Sequence, residues 1–257
     1  MTEHIVAKHT KNVFKAWNDT SHSLGHRISE IIIEIIIIVF AVTLSLYLER
    51  WREQQRDREV EKQFLIGLKN DLQNDISQEV EDSTSYMAIH STWGHLRDLS
   101  YTKGKLSEDS LGQYIKDLGR TVSLVQNDSR FEALKSSGEL GVIEDTALEE
   151  KILDLYQYRM KILHASTEYM NQMKEYHIFP FLLENIHIDA TGHSNIADVV
   201  RLPTMQNYLL LGQSTGEIVG RYHDCMAESR AIIRAIDRQY PAPKQNPPKK
   251  SPPQKKK

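Results

Sequence analysis

The chain has 257 residues, of which 40% are apolar and 26% charged, and its formal net charge is −3. This length can bury one substantial core but is short for several domains, so we expect one folded body with appendages. The single cysteine, Cys225, excludes a fold held together by intramolecular disulfides. Neither the net charge nor the cysteine count decides the compartment or the partners.

The N-terminal segment, residues 1–27, is basic and amphipathic. A helical wheel places three lysines on one face and three apolar residues on the opposite face: Lys8, Lys11 and Lys15 against Val6, Val13 and Trp17. This pattern predicts an interfacial helix on a membrane surface. The alternative is a disordered basic arm, because the segment is short.

Residues 28–50 are predicted to form one transmembrane helix. Its apolar centre, residues 31–48, contains a single charge and covers about 27 Å as a helix, close to the hydrocarbon thickness of a bilayer. Tyr47 and Trp51 lie where an aromatic belt would contact lipid head groups. A cleaved signal peptide is the competing interpretation, but no small-residue cleavage site follows and the chain continues as a charged helix. We therefore expect one crossing of the lipid bilayer.

Glu34 is the charge inside this apolar run. An ionisable group at membrane depth is a candidate for helix pairing, for proton binding or for pairing with a partner's charge. Alternatively, Glu34 lies one turn from Glu30, near enough to the interface to reach water, at a helix end that favours a carboxylate. The sequence leaves both interpretations open.

The distribution of basic residues does not decide the orientation of the span. Four lysines and arginines precede it and five closely follow it: Lys8, Lys11, Lys15 and Arg27, then Arg50, Arg52, Arg56, Arg58 and Lys62. The positive-inside count is therefore balanced. Because anionic cytoplasmic lipid would attract the N-terminal lysines, we expect a cytoplasmic N-terminus and a periplasmic main domain at a bacterial inner membrane.

Residues 51–240 are predicted to form a helical soluble domain. Apolar residues first recur at every fourth position, and three more follow before a break at residues 102–104: Val60, Phe64, Leu68, Leu72, Ile76 and Val80, then Ile89, Trp93 and Leu96. A spacing of four drifts around a helix, so this stripe is expected to contact several neighbours in a bundle. The predicted fold is all-α, with the transmembrane helix continuing into a helical bundle.

Helix-start signals divide the rest of the domain. Ser107 is placed to cap a short helix through Leu118, and capping boxes are predicted at Ser129 with Glu132 and at Thr146 with Glu149.

The helix after the second capping box is predicted to end near Pro180. Residues 181–203 are expected to be irregular, and Thr204 to cap a last helix. No segment is predicted to be a strand. The tail, residues 241–257, contains six lysines and many prolines and is predicted to be disordered. Binding of this tail to acidic partners or lipid and a solubilising role stay equally open.

Two sequence patterns are similar to catalytic or metal-binding motifs, but the sequence around them does not support either function. Residues 212–216 read GQSTG, like the nucleophile elbow of a hydrolase, but no preceding alternation of strands and helices predicts the sheet that such an elbow needs.

A second pattern is a histidine-rich loop. His187, Asp189 and His193, with His223 and Asp224, could offer nitrogen and oxygen ligands, but their spacing matches no strong zinc pattern. We predict no catalytic residues, no cofactor and no metal. Because only the tail is basic, we also predict no nucleic-acid partner.

Several features together resemble a bacterial family of single-span membrane proteins known as a domain of unknown function. These are Glu34 at the start of the span, Trp51 seventeen residues later, the segment FLIGLKNDLQND and the later segment FEALKSSGELGVIED. The similarity covers residues 30–160. It differs from the family pattern at Ile33 and Arg50, where the family has glycine and asparagine. The resemblance implies a membrane anchor and no particular activity.

The sequence thus predicts a non-enzymatic interaction or scaffold module whose protein partner is unknown, and it permits a homo-oligomer. Glu34 and Trp51 are its candidate membrane contacts, and Phe131, Ser136, Ser137 and Gly138 its candidate partner surface. Alternatively, Phe131 is a buried staple between long helices. The sequence leaves two other functions open: an accessory subunit of a transporter or membrane complex, and a membrane-bound hydrolase or metal-dependent enzyme.

Overall fold

A computed structural model describes residues 24–101, 108–191 and 193–241. The predicted interfacial helix, the break at residues 102–104, the Ser107 cap and nearly all of the tail lie outside these residues. The described helices are α1 (Leu24–Tyr101), α2 (Glu108–Gly119), α3 (Ser129–Ser136), α4 (Thr146–Asp154), α5 (Met160–Met173), α6 (Phe179–Asn185), α7 (Ile196–Val199), α8 (Pro203–Leu211) and α9 (Thr215–Gln239). The described residues contain no strand, only an isolated antiparallel bridge between Ile188 and Ser194. The all-α prediction is confirmed.

The described residues divide into two compact units, with the boundary between Glu61 and Lys62. In the first unit, α1 contains an 18-residue window with a mean hydropathy of 2.8 and no buried residue. The hydroxyls of Thr43 and Ser45 donate to the carbonyls of Val39 and Ala41, at 2.6 and 2.9 Å, so these polar groups are satisfied within the helix. This helix is long and apolar enough to cross a membrane.

The second unit is a bundle of four antiparallel segments. They are α1 from Lys62 onward, then α2 to α3, then α4 to α6, and finally α8 with α9. Side-chain pairs give their directions: Thr92 with Asp117 and Asp71 with Arg130; Asn127 with Tyr156 and Arg120 with Lys174; Lys151 with Glu228 and Phe181 with Tyr208. In each set, the residue number on one segment rises as the residue number on its neighbour falls, so successive segments run antiparallel.

The buried face of α1 follows alternating spacings of three and four. Its buried residues include Leu65, Leu68, Leu72, Asp75, Glu79, Asp82, Tyr86, Ile89, Trp93, Leu96 and Ser100. The predicted stripe is correct at Phe64, Leu68 and Leu72 and again from Ile89, but Val60 and Ile76 are half-buried and Val80 is 46% exposed. The prediction failed in between because acids occupy three core positions, so the apolar residues there lie on a different face.

Both predicted capping boxes are wrong by one residue. Asp128 precedes α3 without a side-chain cap, and Asp145 caps α4. The Asp145 carboxylate accepts the backbone N–H groups of Ala147 and Leu148 at 3.0 and 3.1 Å. Asp145 has an extended backbone (ψ 96°), which directs its side chain at the helix N-terminus, whereas Thr146 is already helical.

The helix that begins at Thr146 does not end near Pro180 but continues to Asn185. Two π-helical turns, Leu155–Arg159 and Lys174–Ile178, join α4, α5 and α6. The second turn precedes Pro180, which lies in the first turn of α6, where a missing N–H is tolerated. Part of the region predicted to be irregular is therefore helical.

Pro203, not Thr204, begins the next helix. Leu202 is the N-cap of α8 and makes no side-chain cap bond, while the fixed φ of Pro203 suits the first helical position. A 3-10 turn, Gly212–Ser214, then joins α8 to α9. The last antiparallel segment of the bundle is formed in this way.

Candidate functional site

A row of three carboxylates lies inside the bundle. Asp75, Glu79 and Asp82 occupy consecutive core-facing positions of α1 and are buried. Burial of a charge is costly unless partners replace its hydration, so each of these acids requires a physical account. We call this row the acidic seam.

A connector without regular secondary structure, residues 120–128, joins α2 to α3 and lies against the bundle interior. Backbone groups that are not in a helix need other partners, and side chains supply them here. Lys174 donates to the carbonyl of Arg120 at 2.6 Å, and Asn171 donates to that of Val122 at 3.0 Å. Tyr86 on α1 donates to the Val122 carbonyl at 3.4 Å. Polar side chains from two segments thus hold the connector.

Asp75 belongs to this same network. Its carboxylate accepts the backbone N–H of Asn127 at 3.1 Å and the side-chain amide at 2.6 Å. Tyr156 donates to the Asn127 carbonyl at 3.5 Å. Burial raises the pKa of Asp75, and the two bonds from Asn127 act in the opposite direction. Asp75 therefore has a structural explanation.

Lys174 is a fully buried amine that donates a hydrogen bond to a neutral carbonyl, that of Arg120. Burial, followed by repulsion from the Arg120 guanidinium, lowers the pKa of Lys174 to about 8. The network that holds the connector therefore includes an amine whose protonated form is disfavoured by burial.

Glu79 differs from Asp75 because neither of its carboxylate oxygens has a hydrogen-bond partner among the described residues. Its side chain is 1% exposed. Burial raises the pKa of Glu79 to about 8, with further contributions from the negative charges of Asp75 and Asp82; Arg230 opposes the shift. At neutral pH this group is held mainly as the neutral acid.

Asp82 is half satisfied. One oxygen accepts from Gln78 at 2.9 Å, and the other is buried without a hydrogen bond from the part of the chain that the structure describes. The Tyr222 hydroxyl on α9 lies near Asp82 and favours its ionised form, although the two groups do not reach full hydrogen-bond geometry. Burial is the larger effect and raises the pKa of Asp82.

Cys225 lies next to the seam on α9. Burial, then the charge of Glu79, raises the pKa of its thiol to about 12. A buried thiol with a raised pKa is a poor nucleophile. The seam can hold protons on carboxyl groups, but its cysteine is not activated for covalent chemistry.

The predicted membrane contacts, Glu34 and Trp51, both lie on α1 in the first unit. Glu34 is partly exposed within the apolar window, and the Trp51 ring is 52% exposed. Their proposed contacts with lipid or a partner remain predictions.

Phe131 is not a surface residue, so its place in the predicted partner surface is wrong. It is 1% exposed and its ring stacks on Tyr156, with centroids 4.6 Å apart. A large ring at this inward position of α3 gains more from burial than from solvent contact, as the staple alternative supposes.

Ser136, Ser137 and Gly138 are exposed at the C-terminus of α3. Gly138 has φ +76°, and its N–H bonds to the Lys135 carbonyl, while the N–H of Glu139 bonds to that of Leu134. These two bonds form a Schellman motif, which explains why glycine occupies the left-handed position. The structure brings these three residues together at one surface corner, apart from the buried seam.

The hydrolase pattern has the wrong structural context. Ser214 lies in a 3-10 turn between two helices, and its hydroxyl donates to the Leu211 carbonyl at 2.9 Å. A nucleophile elbow needs a preceding strand.

Asp189, the acid of the histidine-rich loop, has a structural role. One oxygen of Asp189 accepts the backbone N–H groups of Thr191 and His193 at 2.8 and 3.0 Å, so this carboxylate organises the loop. No group of three side chains suited to a metal ion occurs in the described ranges.

The acidic seam was missed because sequence analysis followed apolar residues. A usable signal existed: the spacings of Leu65, Leu68 and Leu72 continue in phase through the acids to Tyr86 and Ile89. No protein-family model, curated protein or solved structure matches this chain.

Proposed function

We propose that this chain is a single-pass, non-enzymatic interaction module of a bacterial inner membrane. In this proposal the N-terminus is cytoplasmic and the bundle periplasmic. The apolar window of α1 supports the anchor. The partner is another protein, and a second copy of this chain is one form it can take.

The observation that carries the proposal is a set of exposed leucines at one end of the bundle. Leu183 on α6 is 83% exposed and Leu210 on α8 is 67% exposed. These helices contact each other, since the rings of Phe181 and Tyr208 meet edge to face at 5.8 Å. Where such side chains form one exposed apolar patch, they are typical of a protein-interaction site.

Site-specific photo-crosslinking of the full chain in living cells tests this surface. A crosslinking residue at Leu183 or Leu210 is expected to give a discrete adduct, whereas the exposed polar position Glu150 on α4 serves as control. Mass spectrometry of the adduct distinguishes a second copy from another protein. Equal labelling at all three positions, or none at the leucines, would refute the proposed surface.

The orientation is tested by reporters fused to the C-terminus, one active only outside the cytoplasm and one active only inside. The outside reporter is expected to be active, because long domains translocate largely regardless of flanking charge. Activity of the inside reporter alone would reverse the proposed topology and direct the search to cytoplasmic partners.

Glu34 favours a second candidate function, an accessory subunit of a transporter or membrane complex. A carboxylate inside an apolar window is suited to pairing with a polar group on another span. Glu34→Gln should then reduce co-purification with a membrane partner, while Glu49→Gln, an exposed acid on the same helix, should not. Unchanged co-purification of Glu34→Gln would exclude this role.

A further inference from the structure

Glu79 is a titratable group at the centre of the bundle with no role in holding the connector. Asp75 accepts two bonds from Asn127, but both oxygens of Glu79 are buried without a hydrogen bond among the described residues. An ionised carboxylate in this position would lose its hydration and receive no bond in return. The closed packing therefore suits a protonated carboxyl.

Charged and titratable groups from three segments surround Glu79. They are Asp75 and Asp82 on α1, Tyr156 between α4 and α5, and Tyr222, Cys225 and Arg230 on α9. Only Arg230 is cationic, and it is exposed at the surface, where its guanidinium contacts the Met226 sulfur. The acids outnumber the cation, so the surroundings also disfavour a charge on Glu79.

We propose that Glu79 is a proton-controlled switch: the bundle packs closed while its carboxyl holds a proton, and loss of that proton to water opens α1 from α9. Opening lets water reach the carboxylate and supplies the hydration that the closed core lacks. The switch does not depend on the side of the membrane that carries the bundle, so it is independent of the proposed topology.

Tyr222 connects the two helices at this level. Its ring is fully buried and lies 5.8 Å from that of Tyr86 on α1, and its hydroxyl, although near Asp82, makes no full hydrogen bond among the described residues. The polar pairs between the two helices, Lys69 with Asp237 and His90 with Thr215, lie on either side of this level. At this level the contact between α1 and α9 is made by the two rings, with unsatisfied polar atoms beside them. Such a contact offers little to oppose entry of water once a charge appears.

Hydrogen–deuterium exchange of the full chain in lipid nanodiscs tests the proposal. Burial places the pKa of Glu79 at about 8, against 4.5 for the solvated group. After correction for intrinsic exchange rates, opening of residues 75–86 and 218–229 is expected to rise about 100-fold between pH 6 and pH 9 and to level off above pH 8. Absence of this rise in the wild type would overturn the proposal.

Matched variants separate Glu79 from its neighbours. Glu79→Gln cannot ionise and should lose most of the pH-dependent opening, whereas Glu81→Gln, an exposed acid on the same turn, should keep it. Full pH-dependence in Glu79→Gln would overturn the proposal.

Infrared difference spectroscopy of the wild type gives an independent measurement if Glu79→Gln does not fold. The carbonyl band of a neutral carboxylic acid is expected at pH 6.5 and should disappear by pH 9.5. Absence of this band at pH 6.5 would equally refute the switch.

Discussion

Replacement of Lys174 by methionine should change the pH dependence of stability more than stability itself. The buried amine has a pKa of about 8 in the folded chain, against 10.5 when solvated. At 1.36 kcal/mol per unit, this depression costs the folded state about 3 kcal/mol at pH 7, where the amine is charged in both states. Lys174→Met removes that cost but leaves the Arg120 carbonyl without its donor, a loss of about 1–3 kcal/mol.

The two effects nearly cancel at neutral pH, so the variant should unfold within about 2 kcal/mol of the wild type there. Between pH 8 and 10.5 the unfolded chain binds the proton that the folded Lys174 has lost, so the wild type gains stability as pH rises. The variant lacks this gain. The difference in unfolding free energy between the two chains should therefore shift by about 3 kcal/mol, in favour of the wild type, from pH 7 to pH 10.5.

Denaturant unfolding of the full chain in micelles, followed by tryptophan fluorescence at both pH values, measures this shift. All other titrating groups are common to the two chains and cancel in the difference. Lys161→Met, which removes an exposed lysine from α5, is the matched control and should show no such shift. A difference between Lys174→Met and wild type that stays constant from pH 7 to 10.5 would refute the reasoning.

Two further predictions concern packing and capping. Gly212→Ala should lower the unfolding free energy by about 1–3 kcal/mol, because its Cβ would lie 2.2 Å from the buried Trp93 ring. Gly220→Ala in α9 has open space and should instead stabilise by about 0.5–1 kcal/mol; equal effects in thermal unfolding would contradict this. Asp145→Ala should cost about 1 kcal/mol and Thr146→Ala less, since only Asp145 caps α4; the reverse order in denaturant unfolding would show that Thr146 is the cap.

Sequence periodicity was sufficient for the helical elements and the apolar span because these depend on local patterns. The end of α2 near Leu118 and the buried series Ile89, Trp93 and Leu96 follow from such patterns. The start of α4 was located to within one residue. The continuation of the helix past Pro180 was not predictable from the sequence. It depends on a π-helical turn before the proline, and that turn depends on the surrounding packing.

The tertiary structure decided which face of α1 is buried between Leu72 and Tyr86. The sequence offers Ile76 and Val80 as apolar candidates, yet Asp75, Glu79 and Asp82 point inward. The stretch itself does not specify this choice. The phase of the large apolar residues on either side indicates it, and their packing against the other segments fixes the rotation of α1.

The sequence by itself therefore determined an all-α chain with one apolar helix suited to a membrane. Only the packing of the four antiparallel segments placed Asp75 against Asn127 and left both oxygens of Glu79 unsatisfied. The physical reason is that burial of a polar group depends on long-range contacts, whereas helix formation depends on residues three and four positions apart in the sequence.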